Sequence, residues 1–322
     1  MPTVGKIKLM SILLIFIILI IYYHIGAENF PDYDNYLSIA GGQVNESKVF
    51  EWIPKLWFKK IYEFTNSSNL AVDSFVILIH TLIVAIILNA KYRAERETLF
   101  WILVLFGALY MTTTIRAALP CILSLYIYIY RSEKLWLCLA ILAVMLSFHD
   151  SSILILGIWI TYRVMNLLLK IDARTNKMAI CLMVLISVIS LYWSIQNIEL
   201  FMMNLNYSTS LEYLKTNDVE VGLLKNIYII LNLICAVFVI LKYGKNLYVL
   251  LMSIVTAAVF SVAPVAGIRV SQYLTIILIY ELIKNSSYSK INWNFINNSI
   301  LILFASIIFA VNLLEVLRHA NV

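Results

Sequence analysis

Charge is scarce in this sequence. The 24 lysines and arginines and 18 aspartates and glutamates make up 13% of 322 residues, against 62% hydrophobic residues. A soluble globular domain carries about 25% charge, and no stretch here is polar enough and long enough to be one. A Gly-rich phosphate loop is missing, as is any acidic cluster on the basic side of the chain, so a nucleotide-sugar site has nothing to stand on. The four cysteines, Cys121, Cys138, Cys181 and Cys235, lie singly inside apolar stretches, without the paired spacing of a zinc site. The first apolar run, Leu9 to Tyr23 after Lys6 and Lys8, lacks the small-x-small cleavage site of a signal peptide and reads as a retained span.

What the chain has instead is a mean hydropathy of +0.89 and apolar stretches from end to end. A hydrocarbon core of about 30 Å takes roughly 20 apolar residues per helix. The sequence therefore predicts an all-α fold: a polytopic integral membrane helical bundle of about 11 transmembrane helices. The spans are expected near 9–25, 70–90, 98–114, 117–130, 135–148, 151–163, 178–196, 225–241, 246–262, 270–283 and 298–317. One transmembrane domain over residues 1–322 follows, with long loops near 26–69 and 196–224.

The basic residues fix an orientation. With the N-terminus in the cytoplasm, Lys6, Lys8, Lys91, Arg93, Arg96, Arg131, Lys134, Arg163, Lys170, Arg174, Lys177, Lys242, Lys245, Lys284 and Lys290 all fall inside, as the positive-inside rule expects. This accounts for the sequence pI of about 9.0 better than nucleic-acid binding does, and no nucleic-acid partner is expected. Both long loops are then extracytoplasmic, and a large substrate finds room there. Within the first loop, Phe50, Trp52, Ile53, Leu56, Trp57, Phe58, Ile61 and Phe64 recur at near-helical spacing among Lys55, Lys59, Lys60 and Glu63. They predict an amphipathic helix, lying on the membrane surface or capping the bundle.

Span lengths carry more information. Between Lys134 and Arg163 each arm has about 14 residues, or about 21 Å, too short for a full crossing. One long tilted helix is the competitor, but it would turn Arg163 to Lys177 outward. A hairpin turning at His149, Asp150, Ser151 and Ser152, below the outer surface, is the better reading. The turn at Thr112, Thr113, Thr114, Ile115 and Arg116 is recessed by the same arithmetic, and a third outer turn, Pro264-Val-Ala-Gly-Ile-Arg269, precedes Gln272 and Tyr273. An arginine at such depth needs water or an anion, so Arg116 and His149 are expected to face one water-filled funnel. The plain alternatives are arginines that snorkel to headgroups and a histidine that packs.

Three segments together resemble a known family: Phe30-Pro-Asp-Tyr-Asp-Asn-Tyr36 after the first span, Thr114-Ile-Arg-Ala-Ala118, and Ser147-Phe-His-Asp-Ser-Ser152. The pattern is similar to the EpsG-like branch of Wzy polysaccharide polymerases, with Asp32 to Tyr36 matching in part and Arg116, Phe148, His149 and Ser151 more closely. The basic or glycine residues that often precede the first-loop aspartate in that family are here Glu28, Asn29, Phe30 and Pro31.

The resemblance implies a glycosyltransferase that joins undecaprenyl-pyrophosphate-linked oligosaccharide repeat units outside the cytoplasm, for O-antigen, capsule or exopolysaccharide. Such a protein sits in the inner (cytoplasmic) membrane, with the bilayer and a chain-length regulator as partners and without a cofactor or metal, although Asp32 and Asp34 have the chemistry to hold a divalent cation. Arg116 and Arg269 are then the candidates for a pyrophosphate clamp. His149 is the candidate base, with Asp150 or Asp32 as its partner or substitute, and Tyr36, Tyr273 and Asp34 are candidates for sugar binding. A flippase or other transporter, a ligase or acyltransferase, and a structural assembly protein are the competing classes.

Overall fold

The computed structural model describes residues 4–26, 33–42, 52–113, 115–149, 151–168, 223–244, 246–262 and 264–286, with five isolated helical positions beyond. Among the described residues all regular structure is helical. In chain order the helices are α1 (Val4–Ile25), α2 (Tyr33–Ala40), α3 (Trp52–Thr65), α4 (Ser68–Asn89), α5 (Arg93–Thr113), α6 (Ile115–Tyr130), α7 (Leu135–Phe148), α8 (Ser152–Leu168), α9 (Leu223–Tyr243), α10 (Leu247–Val262) and α11 (Pro264–Ser286). The spans expected at 178–196 and 298–317, and the loop residues 196–222, lie outside this set apart from the isolated positions in the last segment.

The apolar residues are arranged for an apolar solvent. On α9, Tyr228, Ile229, Asn232, Cys235, Ala236 and Val239 are buried, while Ile230, Ile234, Val237 and Leu241 form an exposed stripe down the opposite face. Helix α1 exposes Leu9, Leu13, Phe16, Ile17 and Ile20 in the same way. Exposed apolar stripes of this length mark a surface that is covered. Three helices, Gly5–His24, Ser68–Asn89 and Asn226–Tyr243, are long and apolar enough to cross a membrane, and a membrane-associated helical bundle is the architecture that accounts for them.

Helix α11 runs through the middle, packed against α5, α6, α9 and α10 and enclosed on nearly every side from Val270 to Ile283. Helix α6 is its neighbour and also touches α4, α5, α7 and α8. Contacts between sequence-distant residues sort onto two ends. Lys8 Nζ donates to the Leu88 carbonyl and Arg163 to the Ser132 carbonyl at the end that carries the basic residues. Tyr22 meets Asp73, and Trp57 Nε1 donates to Ser74 Oγ at 2.9 Å, at the other. Helices α1 and α4 therefore run antiparallel, with the start of α1 beside the end of α4 and the end of α1 beside the start of α4.

The helix does break at His149. Helix α7 has 14 residues, about 21 Å long. His149 then takes up an extended backbone (φ −154°, ψ 131°), and α8 starts at Ser152, whose hydroxyl donates to the Met145 carbonyl at 3.2 Å. A single tilted helix is excluded by this turn. Three expectations are corrected. The first long loop, near 26–69, holds α2, which was not expected, ahead of α3, which is the amphipathic helix expected there. The Pro264–Arg269 segment is not a turn: proline is tolerated at the first helical position, where its missing N–H would have no partner, and α11 begins there. Arg116 likewise stands in the first turn of α6 and not in a loop.

Helices α10 and α11 cross closely because Gly267 has no side chain. A Cβ there would stand 2.5 Å from the Cα of Phe260 and 2.9 Å from its backbone nitrogen, so backbone and not a flexible side chain would have to move. Gly267→Ala is expected to lower stability by about 1–3 kcal/mol, read as a fall in the thermal transition of the purified protein. Gly157→Ala, where nothing lies within 4 Å, should leave that transition in place.

Candidate functional site

The end of the bundle away from the basic residues gathers four elements. Helix α2 contributes Tyr36, α6 begins with Ile115 and Arg116, the α7–α8 turn supplies His149 and Ser151, and α11 brings Arg269 and Tyr273. An aromatic row joins α6, α2 and the end of α7 through α3 and α4: the Arg116 guanidinium lies 5.1 Å from the centroid of the Tyr36 ring, Tyr36 packs on Phe58 at 6.1 Å, Phe58 on Phe75 at 5.1 Å, and Phe75 stacks on Phe148 at 6.3 Å. Phe148 adjoins His149, so arginine and histidine hang from the two ends of one packed row.

The position of Arg116 has a local cause. Pro120 lies inside α6 and has no N–H to give to the carbonyl four residues earlier, so the Arg116 carbonyl must find its donor outside the helix ladder. Arg116 itself is half-buried, stacked on Tyr36 in the manner by which an aromatic face holds a guanidinium without neutralising it. His149 is buried, 8% exposed, with its backbone N–H given to the Met145 carbonyl at 2.9 Å.

Tyr273 and Tyr36, the candidates for sugar binding, are held by neighbouring helices. Both are buried. The Tyr273 hydroxyl lies 3.0 Å from Ser151 Oγ and ties the α7–α8 turn to α11, and the Tyr36 ring is the bed for Arg116. Arg269 is half-buried one helical turn before Tyr273, hence on the same face of α11. Asp34 is exposed, its carbonyl accepting from Ser38 Oγ at 2.9 Å. Asp32 and Asp150 lie outside the described residues. Among the described residues, no three histidine, cysteine, aspartate or glutamate side chains converge as a metal site.

No family model, curated protein or solved structure matches the chain.

The sequence reading missed a second polar cluster, at the basic end. Tyr128, fully buried, donates to Glu281 Oε1 at 2.7 Å and accepts from the Asn246 side chain. The Arg131 guanidinium lies 4.0 Å from the Tyr128 ring centroid, with the rings of Tyr162 and Tyr248 at 5.6 and 6.0 Å. Nearby, Tyr126 donates to the buried Glu95, which also accepts from the backbone N–H groups of Lys91 and Tyr92 at 3.1 and 3.3 Å. Between the two ends, Thr275 bridges Tyr228 (2.6 Å) and Asn232 (2.7 Å). The signal available in the sequence was Glu281, a lone acid at the end of the apolar run from Leu274.

Two measurements check these placements. Tyr273→Phe is expected to weaken the α7–α8 turn by about 0.5–1.5 kcal/mol, seen as faster amide exchange at Ser151 and Ser152 with α10 unchanged. Glu281→Ala leaves the buried Tyr128 hydroxyl and Asn285 amide short of an acceptor and should cost about 1–3 kcal/mol of stability. Glu281→Gln, which keeps an acceptor oxygen, should cost less.

Proposed function

We propose that the protein is a polysaccharide polymerase of the EpsG-like Wzy kind. It works as an inner-membrane bundle of about eleven spans with its N-terminus in the cytoplasm and its site on the extracytoplasmic face. Its substrates are oligosaccharide repeat units on undecaprenyl pyrophosphate. A hydroxyl of the incoming unit attacks the anomeric carbon of the growing chain, the bond from that carbon to the pyrophosphate oxygen breaks, and the carrier pyrophosphate leaves. His149 accepts the hydroxyl proton. Arg116, with Arg269, meets the charge that develops on the departing pyrophosphate.

The observation that carries this reading is the row from Arg116 through Tyr36, Phe58 and Phe75 to Phe148 and His149. It supports a fixed spacing between a permanent cation and an imidazole at the recessed end of two short helical arms, as a transfer from a membrane-anchored leaving group requires. Tyr36 and Tyr273 support the arrangement as positioning residues. A second reading, a lipid-linked oligosaccharide flippase, draws on the buried Glu95 and Glu281 at the opposite end, since ionisable groups inside a membrane protein mark pathways.

Surface glycan length separates the two. In a strain lacking this protein, wild type should restore a ladder of repeat units. Arg116→Ala and His149→Ala at matched membrane levels should lose roughly 10²-fold or more of the polymerising activity, with Arg116→Lys failing as well because the fork geometry is lost. Arg269→Ala should shorten the ladder. A deletion that leaves chain length unchanged sinks the polymerase, and accumulation of untouched units in the inner leaflet supports the flippase.

A further inference from the structure

The turn between α6 and α7 gathers more hydrogen-bond donors than its own acceptors answer. Helix α6 ends at Tyr130, and the carbonyls at its end are taken from several sides. Arg131 donates from Nη1 to the Tyr128 carbonyl. Arg163 of α8 donates from Nη1 to the Ser132 carbonyl at 2.6 Å and the Arg131 carbonyl at 3.4 Å. The Tyr130 carbonyl accepts from the backbone N–H groups of Glu133 and Lys134 at 3.2 and 3.3 Å and from the Cys138 thiol at 3.4 Å.

Three donors beside these carbonyls have no such match. Arg131 Nε is buried without a partner, and so is the hydroxyl of Tyr248 on α10, a fully buried residue. Trp159 Nε1 of α8 is buried too and has the Cys138 sulfur, a weak acceptor, for a neighbour. The groups share one place. The Tyr248 ring lies 6.0 Å from the Arg131 guanidinium, the Arg163 guanidinium 5.9 Å from the Trp159 ring. The Tyr248 hydroxyl interacts electrostatically with Arg131 and Cys138, and Cys138 in turn with Trp159 and Arg163. With Nη1 engaged by a carbonyl, Arg131 keeps its Nε–Nη2 edge, the side that meets two oxygens of one anion as a fork.

Charge narrows the ligand. Among the described residues the ion pairs are those of Lys59, Lys60 and Arg93, and neither Arg131 nor Arg163 makes one. Glu281 is engaged instead by the Tyr128 hydroxyl and the Asn285 amide. Two half-buried guanidinium groups at the end of a membrane bundle need counter-charge, and buried donors without acceptors need a group that accepts. Water meets the second need and not the first. A carboxylate has its two oxygens in one plane, whereas the donors here come from α6, α8 and α10. Phosphate carries negative charge and tetrahedrally disposed acceptor oxygens, and it meets donors from all three directions.

We propose that Arg131, Arg163 and Tyr248 form a phosphate-binding site between the α6–α7 turn, α8 and α10, at the basic end of the bundle. Arg131 grips two oxygens through its free edge, Tyr248 donates to a third, and Arg163 supplies the second positive charge. A basic pocket between membrane helices takes such a phosphate from an anionic lipid headgroup or from free phosphate, and the chemistry of recognition is the same for both. The site stands at the opposite end from Arg116 and His149 and is independent of glycosyl transfer.

The test uses the full chain, delipidated and held in detergent without phosphate. Native mass spectrometry compares retention of phosphatidylglycerol with phosphatidylcholine, and thermal unfolding compares inorganic phosphate with chloride and acetate at equal ionic strength. Phosphatidylglycerol retained about fivefold or more over phosphatidylcholine supports the site with a lipid headgroup as its source. A saturable rise of the thermal transition in inorganic phosphate alone supports it with the free anion as its source. In either case Tyr248→Phe should weaken binding about tenfold, and Arg131→Lys, which keeps the charge and loses the fork, at least as much. Lys60→Gln, at the other end of the bundle, should leave binding unchanged. Without phosphate, Tyr248→Phe should unfold no earlier than the parent, since its hydroxyl has no protein partner to lose. Equal retention of the two lipids together with no effect of inorganic phosphate overturns the proposal. Binding that Tyr248→Phe leaves unchanged overturns it as well, and so does a Tyr248→Phe protein less stable than the parent without phosphate. Because the readouts are binding and stability, a failed glycan ladder leaves this result standing, and the converse holds.

Discussion

Helix α11 is enclosed by protein over most of its length, and its buried polar side chains need partners, which Ser271 finds in its own helix at the Ile268 carbonyl and Tyr273, Thr275 and Glu281 find in neighbouring elements. That requirement orders the bundle. Thr275 is answered by Tyr228 and Asn232 of α9, Tyr273 by Ser151 of the α7–α8 turn, and Glu281 by Tyr128 of α6. A buried polar group without a partner costs about as much as several buried methylenes gain, so these pairs set the rotation of α11 about its axis. Arg269, one turn before Tyr273, takes its direction from the same setting.

The α7–α8 hairpin shows how a short apolar segment becomes a turn at depth. Fourteen residues give α7 too little length to cross a hydrocarbon core, and at His149 the chain leaves the helix with an extended backbone. The polar run His149 to Ser152 then re-engages the end of α7 through the Met145 carbonyl, which receives the His149 N–H and the Ser152 hydroxyl. The turn closes on itself, so its backbone groups need no lipid-facing partner. From the same turn the Ser151 hydroxyl reaches α11, 3.0 Å from the Tyr273 hydroxyl.

Hydropathy made most of the elements legible, because in a bilayer the length of an apolar run is itself the structural rule. The helices α1 and α4 to α11 fall on stretches read as spans, and α3 was readable from its aromatic spacing. The ends were less legible, since helices continue past the apolar run: α5 begins at Arg93 and α11 at Pro264, where proline and glycine looked like breakers and serve as a helix start and a close crossing. Helix α2, eight residues long with Tyr33, Tyr36 and Ala40 turned inward, was too short to carry a period. Arg116, His149 and Ser151 stood out in the sequence as polar residues at recessed turns and Tyr36 in the segment after the first span, but that Tyr36 lies under Arg116 depends on two helices packing and no local pattern encodes it. The cluster around Glu281 was hidden for the same reason: tyrosines and an arginine near a basic loop look like an interfacial belt until the facing helix is known.

The two polar clusters belong to the same pair of helices. Helix α6 carries Arg116 at its start and Tyr128 twelve residues on, about 18 Å away along the axis, and α11 carries Tyr273 and Glu281 in the same sense. The pair is held at one end by the Tyr128–Glu281 hydrogen bond, α11 is tied at the other to the α7–α8 turn by Tyr273 and Ser151, and between them lie close-packed apolar side chains that include Ile122, Leu125, Ile276 and Ile277, all buried. Interiors packed in this way move as blocks and do not deform continuously. An arginine on the first turn of such a block keeps its distance from a histidine fixed to the neighbouring hairpin, and the cost of holding a cation in a low-dielectric wall is met once, at folding. In the proposed transfer, preorganisation of that kind would stabilise the charge developing on the leaving group, and it would derive from the burial of α11 as much as from any residue in the site.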